Sequence, residues 1–160
     1  MKIEQLDGSQ WQRLQTLRLA ALKTDPDAFG STYEACVAWP EARWREQLGP
    51  RITFVAVLDD HDVGMAGLAK AERADTLYLV SMWVDPRARR RGVGSALVET
   101  VIERARAQSK RRLLLDVREH NLGAIALYEA RGFVATGKIE NEPPPDEHIR
   151  EREFSYAIDP

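Results

Sequence analysis

Between residues 84 and 98 the chain reads Val84-Asp85-Pro86-Arg87-Ala88-Arg89-Arg90-Arg91-Gly92-Val93-Gly94-Ser95-Ala96-Leu97-Val98, and few architectures accommodate that order of residue types. An apolar run breaks at a proline, turns basic, passes two glycines and enters a helical pattern, which reads as strand, anion loop and helix. A backbone without Cβ lets a bulky phosphate approach its N–H groups. The first turn of a helix adds amides that lack intrahelical acceptors, together with the positive end of the helix dipole. With Arg89, Arg90 and Arg91 alongside, the stretch describes a site for a phosphate ester.

The flanking segments fit a parallel crossover. Thr76–Val84 is the longest strand candidate, rich in apolar and aromatic residues. Val93, Leu97, Val101 and Ala105, flanked by Val98 and Ile102, form the apolar stripe of a helix, and residues 112–117 read as a buried strand. Strand, helix, strand at this spacing implies a right-handed crossover with the anion loop at its C-terminal edge.

Upstream, residues 2–6 alternate like a short strand, and Trp11, Leu14, Leu17, Arg18, Ala21 and Leu22 recur at helical spacing until Asp25-Pro26-Asp27 stops them. A second helical region has two pieces, 32–38 and 40–48, with Trp39 and Trp44 anchoring it. Ile52–Leu58 and residues 63–71 form an antiparallel hairpin in which Gly64 and Gly67 mark bulges or close approaches. Downstream, Asn121 opens a helix through Ala130, residues 133–138 give a strand, and 141–146 is a stiff Pro-rich loop. Residues 152–158 alternate in a way that suits an edge or partly exposed strand.

A chain of 160 residues fits one domain spanning 1–160, and its net charge of −2 gives nucleic-acid binding no global electrostatic support. The single cysteine, Cys36, excludes an internal disulfide and reads as a small buried apolar side chain. The first six residues lack an apolar signal core and no segment approaches membrane-spanning length, so the expectation is a soluble cytoplasmic protein; dimers are the prior for its assembly.

Two familiar phosphate loops fit poorly. No Gly-x-x-x-x-Gly-Lys-Ser/Thr string occurs, and a dinucleotide fingerprint would need a third small residue where Leu97 stands. Asp116 lies at the downstream distance such a fingerprint uses, which we treat as coincidence. What matches is Arg89-x-x-Gly92-x-Gly94 directly after Val84-Asp85-Pro86, which resembles the acetyl-CoA loop of the GNAT superfamily of N-acetyltransferases. Downstream, Asn121-x-x-Ala124-x-x-Leu127-Tyr128-x-x-x-Gly132-Phe133 resembles that superfamily's second conserved block. The resemblance covers most of the chain. It implies an α/β fold with a mixed central sheet of about seven strands and about four helices, splayed between the two central parallel strands, Thr76–Val84 and 112–117.

By that resemblance, backbone amides around Arg89, Arg90, Gly92, Val93, Gly94 and Ser95 hold the CoA pyrophosphate, and backbone groups near Met82 and Val84 pair with the pantetheine arm as an added strand would. Asn121 caps its helix, contacts the cofactor arm, or does both. Tyr128 is the family's general acid, which protonates the departing CoA sulfur; a helix tyrosine beside Leu127 and Phe133 is otherwise a packing residue. His120 faces solvent. The general base is unassigned: where related sequences carry Glu early in the central strand this chain has Tyr78, which orders water, and Glu34 is a weaker alternative. Glu140, Glu142, Asp146 and Glu147 favour a cationic acceptor from the loop before the last strand, opposite the segment 24–33. The expected activity is acetyl transfer from acetyl-CoA to a primary amine by direct attack, without a metal. The alternatives are a CoA-binding regulatory module with little turnover and a nucleotide-binding protein.

Overall fold

The computed structural model describes residues 1–159. Seven strands form one mixed sheet: β1 (Lys2–Gln5), β2 (Ile52–Leu58), β3 (His61–Lys70), β4 (Thr76–Val84), β5 (Arg112–Arg118), β6 (Val134–Asn141) and β7 (Arg150–Ala157), in the spatial order β1-β2-β3-β4-β5-β7-β6. Five helices accompany them: α1 (Trp11–Thr24), α2 (Tyr33–Val37), α3 (Glu41–Leu48), α4 (Val93–Ala107) and α5 (Leu122–Ala130). The count exceeds the expected four because the second helical region is two helices, broken at Pro40 as its sequence requires. β4 and β5 are the only parallel neighbours among the described residues, and α4 is their crossover.

Alternation along β2 divides the core into two layers. Phe54 and Ala56 join the cluster under α4 and α5, whereas Val55 and Val57 join Leu14, Leu17, Trp44 and Cys36 beneath α1–α3. Burial of Leu14, Leu17, Ala21 and Leu22 on α1 and of Val93, Leu97, Val101 and Ala105 on α4 follows the helical period that places them on one face. Cys36 is fully buried, as its sequence context suggested, and burial pushes its thiol upward.

A single residue re-aims β4. Met65 pairs with Trp83 but Gly67 pairs with Val80, so three steps on β4 oppose two on β3. The extra residue sits at Ser81, whose φ of 54° lies in the left-handed region. Leu77 and Leu79 therefore point into the α4 layer, while Trp83, of the same parity, points into the α1 layer. Met82 and Val84 turn toward α4 instead.

β4 also loses its other neighbour. Its parallel pairing with β5 is confined to Thr76↔Arg112, Leu77↔Leu113 and Tyr78↔Leu114, although both strands continue. This is the expected splay. For the last strand the structure selects the second of the two expectations: β7 is partly exposed but lies inside the sheet between β5 and β6, and β6 is the edge, exposed along its whole length. An interior strand with one uncovered face shows the same alternation as an edge strand, so the pattern alone does not separate them.

Gly64 and Gly67 mark close approaches as well as a neighbouring bulge. A Cβ on Gly64 would lie 3.0 Å from the Trp83 carbonyl oxygen and 3.2 Å from Leu97 Cδ1. Gly64→Ala is therefore expected to cost about 1–3 kcal/mol by overpacking. Gly8, with nothing within 4 Å of its Cβ position, is the control; the urea midpoint should fall for Gly64→Ala and stay near wild type for Gly8→Ala.

Candidate active site

The loop between β4 and α4 is built as its composition implies. Asp85 accepts from the Arg87 amide at 2.9 Å and caps the turn Pro86–Ala88. Arg90 and Gly92 then adopt left-handed φ of 61° and 81°. Such alternation turns successive N–H groups into an anion-accepting concavity. Among the described residues, the amides of Arg90 through Ser95 find no backbone acceptor, and the N-terminus of α4 has no side-chain cap. Amide donors in this loop and the α4 dipole suit a phosphate group.

The two glycines differ in purpose. Gly92 needs its positive φ and has open space on the Cβ side. Gly94 is a packing glycine, since a Cβ there would meet Leu127 Cδ2 at 3.0 Å and Met82 Cε at 3.6 Å. It brings α4 close to α5 and sets Met82 between them.

From the loop a cleft of about 720 Å³ runs down the splay between β4 and β5. Met82, Val84, Arg89, Arg90, Gly92, Val93, Gly94, Ser95, Asn121 and Tyr128 all line it, so the fold brings the residues nominated for the donor and for the general acid to one cavity, while Tyr78, Glu34, Glu140, Glu142, Asp146 and Glu147 lie outside its lining. The unpaired stretch of β4 opens onto this cleft and is free to accept an extended ligand as a strand would be accepted. The amides and the open β4 edge together fit a phosphorylated, extended thioester such as acetyl-CoA.

Tyr128 lies at the inner end, 6% exposed, packed against Phe133 with ring centroids 5.8 Å apart. Its hydroxyl has no hydrogen-bond partner among the described residues. Burial pushes the phenol far above its ordinary range, so it stays protonated at neutral pH. Asn121 Oδ1 accepts from the Ala124 amide at 3.2 Å, so the capping role is present, and the residue also lines the cleft. His120 is exposed.

Among the arginines of the loop, Arg89 is committed. It donates to Asp25 Oδ2 at 2.6 Å and to the Val84 carbonyl at 3.0 Å, while Trp83 Nε1 donates to the same carboxylate at 2.8 Å. Asp25, at the end of α1, thereby ties the loop to the α1 layer. Arg91 reaches Asp59 at 3.7 Å.

Glu34 is exposed on α2, outside the cleft, and Tyr78 sits at the last β4–β5 pair, its phenol raised by burial and then by Asp116. Asp116, set aside from sequence, lines the cleft with Glu151. Its side chain stays open to the cleft, yet the surrounding protein removes enough water to push its carboxyl above the usual range, and Glu153, its direct partner on β7, adds to this. Glu151 is raised by burial and by Glu142. Glu142 is not a free acid of the acceptor loop: it is sealed in an ion pair with Arg118, the two side chains 9% and 8% exposed. Asp116 carried a sequence signal, a lone acid in an otherwise apolar strand.

Arg18 was legible only as a helix position. Its Nη1 donates to Ser81 Oγ at 2.8 Å, its guanidinium lies 5.2 Å from the Phe29 ring, and its charge has no carboxylate partner among the described residues. It braces the β4 bulge from behind the cleft.

Comparison with known proteins accords with this geometry. A model of the Acetyltransferase (GNAT) family matches residues 15–133. The chain is 37% identical over 89 residues to human N-acetyltransferase 8, covering 53% of this chain and 39% of that protein. It is 42% identical over 59 residues to the Escherichia coli ribosomal protein bS18 alanine N-acetyltransferase, covering 37% and 40% respectively. The matches thus span about two fifths of these relatives' lengths. A GNAT-family acetyltransferase from Streptococcus pneumoniae superposes with a TM-score of 0.74 at 25% identity, covering 99% of each chain. A Salmonella typhimurium protein solved with its cofactor acetyl-CoA gives 0.74 at 19% identity, covering 100% of this chain and 95% of that one. With its splayed parallel pair, its amide-lined loop and a family match over most of its length, this chain belongs to the GNAT family of acetyltransferases.

Proposed function

We propose that this chain moves the acetyl group of acetyl-CoA to a primary amine by direct attack within a ternary complex. The observation that carries the reading is the continuity of one cleft, from the unpaired amides of Arg90–Ser95, along the open edge of β4, to the unpartnered hydroxyl of Tyr128. Bound acetyl-CoA supplies the activated acyl thioester. The amides around Arg90, Gly92, Val93, Gly94 and Ser95 hold its pyrophosphate, the Arg89 amide being taken by the Pro86 carbonyl at 3.4 Å; Met82 and Val84 offer backbone groups to its extended arm, and Asn121 borders that arm from α5.

Tyr128 keeps a proton on its hydroxyl across the neutral range and offers it to the leaving sulfur. Asp116 takes the role left open by sequence. An ammonium must lose a proton before it attacks, and a carboxylate with a raised proton affinity beside the splay is suited to receive it. Asp116 and Glu151, neither neutralised by a direct ion pair, give the acceptor end negative character that favours a cationic amine. Cys36 is fully buried with a raised thiol, which speaks against a covalent acetyl-cysteine route.

Three outcomes test this reading. Acetyl-CoA should raise the thermal midpoint by mass action, whereas ATP and NAD should not; the reverse pattern removes the donor assignment. In a thiol-release assay over diamines, amino acids and short peptides with free N-termini, Tyr128→Phe should lower kcat by about 10²-fold or more while acetyl-CoA affinity holds. Asp116→Asn should abolish the acidic limb of the kcat/KM profile, a limb displaced above the ordinary carboxylate range. The stability sign is opposite to the activity sign. Because folding raises this carboxyl, the folded state binds the proton more tightly, and the resulting stability is lost as pH rises through the raised value. At neutral pH Asp116→Asn should therefore leave Tm unchanged or higher, and a large fall in Tm would show that Asp116 is structural.

A further inference from the structure

Three segments remote in sequence meet at the C-terminal end of β5: the turn 26–29 after α1 and the end of β5 itself, which line the cleft, and the connection between β6 and β7. One side chain joins them. Arg118, the last residue of β5, directs Nε and Nη2 at the two carboxylate oxygens of Glu142, the latter at 2.8 Å. Its Nη1 donates to the Asp27 carbonyl, and Nη2 also reaches the Phe29 carbonyl at 3.3 Å. Glu142, just beyond β6, is held in turn through its amide on the Ile149 carbonyl at 2.9 Å. A guanidinium is suited to this because its donors lie in a rigid planar fork.

Burial makes the arrangement demanding. A buried ion pair is weak evidence for stability, since desolvation offsets its attraction, but losing one partner strands the other charge. The pair is therefore better explained by what it aligns. Ala28, Phe29, Arg118 and Glu151 all line the cleft. Asp116, two residues before Arg118 on the same strand, lines it too.

Resting on the proposed acetyl transfer, we infer that Arg118 is a positioning residue for the amine acceptor: through Glu142, Asp27 and Phe29 it locks the two acceptor-side loops to the strand that carries Asp116. It touches neither the donor loop nor Tyr128. Its loss should spare acetyl-CoA binding and damage acceptor capture. The strap also consumes the negative charge of Glu142, leaving Asp116 and Glu151 as the carboxylates that meet the acceptor.

The test compares the full chain with Glu142→Gln, Arg118→Lys and Arg118→Met. Glu142→Gln keeps the side-chain shape and leaves Arg118 on both carbonyls, so it reports on the strap even where Arg118→Met fails to fold. Hydrogen exchange should accelerate together in segments 26–30 and 141–149, while segment 90–96 and the acetyl-CoA Kd stay at wild-type values. With the amine that wild type turns over best in the panel above, the acceptor KM should rise about tenfold or more with a smaller change in kcat, and Arg118→Lys should not restore it. Loosening of only the mutated segment, a parallel loss of acetyl-CoA affinity, or an unchanged acceptor KM would each overturn the inference. If wild type turns over no amine in the panel, the proposed acetyl transfer is what fails, and the exchange pattern alone decides whether the strap exists.

Discussion

The parting of β4 from β5 is the constraint on which the rest depends. Two parallel strands that pair for three residues and then separate leave unsatisfied backbone along the inner edge of each, and such groups need a partner. The fold tolerates this because each strand is held from its other side. β4 stays paired with β3 and β5 stays paired with β7 along its whole length, so the opening is a rigid notch rather than a frayed edge. An extended ligand that carries its own amides can complete the sheet where protein does not, which is the physical sense in which this architecture selects a pantetheine-like arm.

The bulge at Ser81 converts that notch into a site. Without the extra residue, Met82 and Val84 would face α1 and Trp83 would face α4. With it, Trp83 anchors the strand beneath α1 through Asp25, and Met82 meets Gly94 and Leu127 at the helix junction. Left-handed geometry at a serine carries strain, and such strain persists where neighbouring contacts over-determine it. Here Arg18 supplies one of those contacts through the Ser81 hydroxyl.

Much of this was readable in the chain because the signals are local. Proline before α3, glycines at the anion loop, and the apolar stripe of α4 act within a turn or two, and they mark elements that the structure contains. The splay was inferred through resemblance to a family, and no periodicity in residues 76–84 announces it. Other features were illegible for a different reason: they depend on pairs far apart in sequence. Glu142 looked like an acceptor-facing acid of a Pro-rich loop, but Arg118, 24 positions away, claims its charge. Arg89 looked like a phosphate ligand until Asp25, 64 positions away, claimed its guanidinium. The interior position of β7 was hidden because one face of that half of the sheet is uncovered.

Taken together, these pairings sort the charges of the cleft by end. At the donor end Asp25 neutralises Arg89, so attraction for a pyrophosphate rests on amides, the α4 dipole and Arg90, groups that bind without large desolvation of a full charge. Toward the acceptor Arg118 neutralises Glu142, so negative character rests on Asp116 and Glu151, whose carboxyls burial raises above their usual range. Under the proposed function, a phosphorylated thioester is drawn to the amides and the α4 dipole, and an ammonium to Asp116 and Glu151. Orientation of the two substrates then follows from the distribution of uncompensated charge along one cleft, with the buried ion pairs acting by removing the charges that would blur it.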